Sequence, residues 1–193
     1  MLQGKERFEI INRLLPCNKY GCLFRLVVPE DASFIYKLRM DPLLSRFVST
    51  VAGTKDDQKQ WIIEYKKREA AGEEFYIISI DPYSGTRQGV NRIYDFKTDT
   101  FELGSWLYLP QEDISKSILG DIHAREIGYD VLGFDFCTFE VRKGNKSVIR
   151  YHNGFSPELT GADERNFYFR LSRETFNHHK NKYLNICGYG QPS

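Results

Sequence analysis

Excess charge of either sign is the first thing this sequence lacks. Of its 193 residues, 27 are Lys or Arg and 26 are Asp or Glu, a formal charge of +1. A protein that grips duplex DNA carries a basic excess that displaces phosphate counterions, so no nucleic-acid partner is expected. An acidic interaction tail is excluded on the same ground. Long apolar runs are also missing. Nothing approaches the roughly 20 residues of a membrane-crossing helix. The opening MLQGKERFEIINRLLP has neither the unbroken apolar stretch nor the small-residue cleavage site of a secretory leader. The chain is therefore expected to be soluble and cytoplasmic, without membrane contact. Cysteine is sparse: Cys17, Cys22, Cys137 and Cys187 include no CxxC and no Cys-His pair at zinc spacing. Four free thiols and no metal are expected. What is present is apolar and aromatic: 41% hydrophobic residues, with 14 Phe and 12 Tyr. That suffices for a core, and the length fits one domain.

Residues 1–21 read as an appended arm, with Phe8, Ile11 and Leu15 at helical spacing and Pro16 ending the pattern. Residues 23–28 read as a strand. Pro29 then heads a helix to about Met40, which Asp41-Pro42 ends. Residues 43–51 have room for one or two helical turns. Thr54 and Asp57 stand at capping-box spacing before a helix with Gln58, Trp61, Ile62 and Tyr65 on one face. The opposite face, with Lys59, Glu64, Lys66, Lys67 and Arg68, reads as solvated, and Gly72 closes the helix.

Residues 75–80 are almost continuously apolar, as in a strand buried on both faces. With residues 89–96 and 101–109 they form an antiparallel meander. Ile114, Ile118, Ile122 and Tyr129 mark a helix, residues 134–141 a strand, and Asn145 the cap of a short helix. Residues 167–171 make a last strand and residues 173–186 a terminal helix. Strands that do not alternate strictly with helices point to an α+β fold, a single domain with a mixed sheet.

Four phrases in this order carry a resemblance: FRLVVPEDASFIYKLRMDP, then GVNRIYDF with FELGSWLYLP, then LGFDFCTFEVRKGNKSVIRYHNGF, then NFYFRLSRETF. Residues 22–172 resemble the GNAT acetyltransferase superfamily, nearest to its ribosomal-protein-type and amino-sugar-acetylating branches. Residues 173–193 form a C-terminal helix and tail outside the resemblance. It implies a mixed, largely antiparallel twisted sheet flanked by helices. It also implies an enzyme that moves acetyl from acetyl-CoA to an amine by direct attack on the thioester. The acceptor it suggests is a small molecule such as an amino sugar, nucleotide-linked in one version. Its alternatives are a protein N-terminus, or a non-catalytic acyl-CoA-binding or interaction module of the same fold. A homodimer is compatible with it.

The resemblance also points to residues. The stretch matching the family's phosphate loop is Glu112-Asp113-Ile114-Ser115-Lys116-Ser117, with serines at both glycine positions and an acid where Gln or Arg is usual. A helix starting there aims N–H groups and a positive dipole at an anion. Ser115 and Ser117 are small donors, and Lys116 adds charge. Trp106, Leu107, Tyr108 and Leu109 match the strand that splays from its neighbour and offers backbone N–H groups to the acyl oxygen. Asn145 matches a cofactor contact, although a helix cap already accounts for it. His152, seven residues on, matches the position of the acid that protonates sulfur, and Tyr151 beside it is the rival. An imidazole titrating near neutrality suits that task. The packing alternative is a His152 buried under its helix and a Tyr151 in the core. Glu102 matches a carboxylate that accepts the amine proton. Strand alternation sets Glu102, Gly104 and Trp106 on one face. Asn91 and Asp95 share a face of the neighbouring strand, where they could bind the acceptor.

Overall fold

The structure is a computed structural model that describes residues 2–47, 53–110 and 114–190. Residues 48–51 of the expected helical turns, Glu112 and Asp113 of the phosphate-loop match, and the last three residues of the tail lie outside the described residues.

The chain opens with α1 (Gly4–Leu14), β1 (Cys17–Lys19) and β2 (Cys22–Leu26). A 3-10 turn (Pro29–Asp31) leads into α2 (Ala32–Met40), α3 (Pro42–Ser45) and α4 (Lys55–Ala70). The meander follows as β3 (Phe75–Ile80), β4 (Arg87–Tyr94) and β5 (Thr100–Tyr108). The helix α5 (Ser115–Glu126) continues as a π-type turn (Ile127–Val131) into β6 (Phe136–Arg142). The chain ends with α6 (Lys146–Asn153), β7 (Glu158–Ala162), β8 (Asn166–Ser172) and α7 (Arg173–Ile186). The described strands form one sheet in the order β1-β2-β3-β4-β5-β6-β8-β7. Its neighbours are antiparallel except the parallel pair β5 and β6.

Local chemistry sets the ends of these elements. Thr54 and Asp57 cap α4 reciprocally, Asp57 N–H donating to Thr54 Oγ1 at 3.3 Å and Thr54 N–H to Asp57 Oδ2 at 2.7 Å. Asn145 Oδ1 accepts from Val148 N–H at the start of α6. Every residue of β3 is buried, because helices cover both faces of the sheet. On one face Ile11, Phe24, Phe75, Phe101, Leu119 and Phe176 join a core under α1, α5 and α7. On the other, Ile35, Leu38, Ile62, Tyr65, Ile78 and Val90 join a core under α2 and α4. Residues 1–21, read as an arm, thus contribute Ile11 to the main core and β1 to the sheet edge. The strand β7 had no apolar alternation to announce it; it is an exposed edge strand carried by its pairing with β8. No helix among the described residues is long and apolar enough to cross a membrane.

Gly128 marks the tightest approach of α5's end to the sheet. A Cβ there would lie 2.2 Å from the Phe101 ring, itself fully buried. Gly128→Ala should therefore destabilise the protein by about 1–3 kcal/mol through overpacking. Adding Phe101→Leu should recover part of the loss in a denaturation midpoint, and a neutral Gly128→Ala would contradict this packing.

Candidate active site

The parallel pair β5 and β6 stays together for only three residues, Thr100↔Phe136 to Glu102↔Thr138. Beyond that β6 follows β8 while β5 follows β4, so the sheet opens between them. Opposite Asn91, β5 carries an extra residue: Val90 pairs with Leu107, but Arg92 pairs with Gly104. Ser105 takes a left-handed backbone conformation at this bulge, φ 49°. Leu109 donates its N–H to Gln88 O across to β4. By strand alternation the backbone groups of Tyr108 then face the opening.

The bulge reverses side-chain parity, which corrects the expectation that Glu102, Gly104 and Trp106 share a face. Glu102 and Gly104 face α4, whereas Trp106 turns to α6, its ring 5.1 Å from Tyr151 and 5.5 Å from His152. Trp106 Nε1 also donates to Ser117 O at 3.0 Å, which ties β5 to the first turn of α5.

A cavity of about 580 Å³ runs through the opening. On one side it is lined by Arg39, Phe47, Trp61, Arg92, Tyr94 and Glu102. On the other it reaches Trp106, Asp121, Arg125, Asn145 and His152. The structure therefore brings Glu102, Trp106, Asn145 and His152 to one space. Tyr151 lies outside the lining, donating its phenol proton to Asp121 Oδ2 at 2.8 Å. Leu107 joins the α2/α4 core, and Tyr108 packs its ring beneath Gly120 and donates to Asn91 Oδ1 at 2.8 Å.

Asn91 is buried away from the cavity, held by that bond. Asp95 follows the end of β4 with φ 50° and pairs with Lys97 at 2.6 Å, also outside the lining. These two do not form the expected shared acceptor face. The residues of β4 that line the cavity are the alternate ones, Arg92 and Tyr94. Odd positions, including Ile93, turn to the α5 side, where the larger core fixes the register.

Glu102 is half-buried and accepts from Tyr94 Oη at 2.5 Å. Burial, with Asp95 and Glu140 nearby, raises its carboxyl above the ordinary range, against the lowering effect of the Tyr94 bond. Gly104 allows this arrangement, since a Cβ there would meet Tyr94 Oη at 2.9 Å.

His152 is buried between Phe139, at 4.4 Å between ring centroids, and the rings of Trp106 and Tyr151. Burial, aided by the charge of Arg125, pushes its imidazole down to about 3, although Asp121 opposes the shift. The expectation that His152 titrates near neutrality is thereby corrected: the ring is neutral at physiological pH. Arg125 and Asp121, which the sequence reading passed over, form a wholly buried ion pair with Nε to Oδ2 at 3.0 Å. Their i, i+4 spacing on an otherwise apolar helix face was the available signal.

At the α5 end, the first i→i−4 bond runs from Ile118 N–H to Ile114 O. The N–H groups of Ser115 and Lys116 precede it at the positive end of the helix. Ser117 Oγ donates to Ile114 O at 2.8 Å, and Lys116 Nζ donates to Gly21 O at 3.4 Å. Among the described residues no cluster of His, Cys, Asp or Glu could hold a metal ion.

Two buried neutral imidazoles predict an acid-sensitive fold. His123, packed on Phe24, is pushed by burial down to about 4. In the unfolded chain both histidines take up protons near pH 6.5. Between these values the unfolded state binds more protons, so this stability is complete above about pH 6.5 and is lost as pH falls. Each contributes about 1.4 kcal/mol per pH unit inside the window. The raised Glu102 acts in the opposite direction. The thermal midpoint should fall from pH 7 to pH 5, and His123→Phe should flatten the slope. A midpoint level across that range would contradict the buried neutral state.

Comparison with known proteins agrees with this geometry. No protein-family model and no curated protein sequence matches the chain. Among solved structures it is similar to apo FdhC, a nucleotide-linked sugar GNAT, at 30% identity and TM-score 0.77, over 88% of this chain and 96% of that one. It is also similar to spermidine N-acetyltransferase from Vibrio cholerae in complex with CoA and spermine, at 11% identity and TM-score 0.69. That match covers 82% of this chain and 99% of the other. The ribosomal-protein-S5-alanine acetyltransferase from Vibrio fischeri matches at 12% identity and TM-score 0.66, over 82% and 96% of the two chains. The latter two bear on the fold alone. The splayed β5 and β6, the mixed sheet around them and the similarity to FdhC lead to one conclusion: the chain belongs to the GNAT superfamily and is an acyltransferase.

Proposed function

We propose that the protein transfers acetyl from acetyl-CoA to the amino group of a nucleotide-linked sugar. The observation that carries this reading is the composition of the chamber on the α4 side of the opening. It combines Arg39, Arg92 and Arg142 with the rings of Trp61 and Phe47, next to the carboxylate of Glu102. Trp61 is stacked on Tyr65 at 5.8 Å, and Arg92 is held by Glu74 over the Tyr94 ring. Guanidinium groups suit phosphate oxygens and an exposed aromatic face suits a base. A polyamine has no anion to offer these arginines. The similarity to FdhC supports the same acceptor class.

The residues on the α5 side fit acyl-CoA. Ser115, Ser117 and Lys116 stand at a helix N-terminus where a pyrophosphate would be held, and the backbone of Tyr108 faces the opening as a donor for the acyl oxygen. Bound acetyl-CoA supplies the activated thioester carbonyl. Glu102, steadied by Tyr94, accepts the proton that the amine loses as its nitrogen bonds to that carbonyl carbon. His152, neutral, donates a hydrogen bond toward the departing sulfur, whose proton then comes from water. One N–C bond forms, one C–S bond breaks, and Glu102 gives the proton it accepted to solvent, which balances the proton the thiolate takes from water.

The reading is tested by thiol release from acetyl-CoA across an amine panel. Nucleotide-linked amino sugars should be consumed, and the same amino sugars without the nucleotide should show a much higher KM. Release with spermidine or an N-terminal peptide, and none with a nucleotide-linked sugar, would contradict it. Glu102→Gln should lower turnover roughly 10²–10⁴-fold with little change in acetyl-CoA affinity. An unchanged kcat would remove Glu102 as the base.

A further inference from the structure

The pair Asp121–Arg125 is the least explained feature of the cavity. Both side chains are fully buried, on α5, directly beneath α6. Ion pairs in such places cost desolvation and are stabilising only when their remaining donors and acceptors are matched. Here they are not: among the described residues Arg125 Nη1 and Asp121 Oδ1 have no hydrogen-bond partner. Stability alone is therefore a poor account of the pair.

Its matched atoms all lead to α6. Asp121 Oδ2 accepts from Arg125 Nε at 3.0 Å and from Tyr151 Oη at 2.8 Å. Arg125 Nη2 lies 3.3 Å from His152 Nδ1. A guanidinium has donors and no acceptor, so in this contact the imidazole nitrogen must be the acceptor. Nδ1 is then bare, and the proton of the neutral ring is on Nε2. The plane of the guanidinium is fixed from another side by the Phe139 ring, 4.6 Å away. The charged groups facing His152 are Asp121 and Arg125 from α5; β5 presents Trp106, β6 presents Phe139, and α6 adds Tyr151.

We propose that Asp121 and Arg125 are positioning residues for His152: Asp121 orients Arg125, and Arg125 locks the imidazole in the Nε2–H form that donates toward the sulfur. This rests on the reading of His152 given above. Neither residue touches the reacting atoms in this account; both act through the imidazole, as outer-shell carboxylates and carbonyls act on the orientation and tautomer of a ligand histidine.

Nitrogen-15 spectra of the imidazoles in the full chain test the tautomer without reference to activity. The His152 signals are assigned in the native chain by through-bond correlation to its sequentially assigned backbone. The expected state is a bare Nδ1 and a protonated Nε2 from about pH 5.5 to 8.5. A proton on Nδ1, or an imidazolium within that range, would overturn the proposal even if no variant folds. Kinetics test the consequence. Arg125→Met should lower kcat roughly 10–100-fold with the KM for acetyl-CoA unchanged, and Arg125→Lys, which keeps a donor, should recover most of it. Full turnover in His152→Phe would defeat the underlying reading of His152. A normal loss in His152→Phe beside unaltered turnover in Arg125→Met would defeat the relay alone.

Discussion

The bulge at Ser105 is the constraint on which the site depends. It inserts one residue into β5 just after that strand leaves β6, so it both changes the strand's course and reverses its side-chain parity. A serine at φ 49° costs on the order of 1–3 kcal/mol, and its surroundings must hold it there. They do so on three sides. Trp106 is bonded to Ser117 on α5, Leu107 is locked into the α2/α4 core, and Tyr108 is pinned between Gly120 and Asn91. Without this break in alternation at Ser105, Trp106 would share the α4 face with Glu102 and Gly104. With it, Glu102 stands on one side of the opening and Trp106 on the other.

The electrostatics follow from the same opening. The α4 side is polar and charged, with Glu102 raised by its surroundings and arginines close by. On the α5 side His152 is buried among three aromatic rings and beside the Arg125 guanidinium, and that burial and charge lower its imidazole. One carboxylate is shifted toward neutrality and one imidazole is held away from protonation, so the two ends of the cleft differ in their proton chemistry. In the proposed reaction, with Glu102 as base near the amine and His152 as a neutral donor near the sulfur, no proton needs to cross the sheet.

The elements that were legible in the sequence are those decided by neighbours along the chain. The Thr54–Asp57 box, the Asn145 cap and the unbroken apolar run of β3 announced themselves because caps and buried strands are local in origin. The order of elements then carried the fold. The site was legible in part. Glu102, Trp106, Asn145 and His152 do line one cavity, while Asn91 and Asp95 do not, because β4's parity is decided by the core under α5 rather than by alternation itself. The Gly104-Ser105 pair inside a strand was the local hint of a bulge. Its consequence for Trp106 needs the partner strand. The neutrality of His152 likewise depends on Arg125, 27 positions away in sequence, and on rings from three elements. No spacing along the chain encodes that.

The central claim is that the opening between β5 and β6 receives acyl-CoA along the free edge of β5. Hydrogen exchange of backbone amides, measured with and without CoA, addresses it at the atoms concerned. The account predicts slower exchange in residues 105–109, Tyr108 foremost, together with the first turn of α5, while β1 and β7 at the sheet edges stay as they were. CoA binding that leaves residues 105–109 unprotected would contradict it.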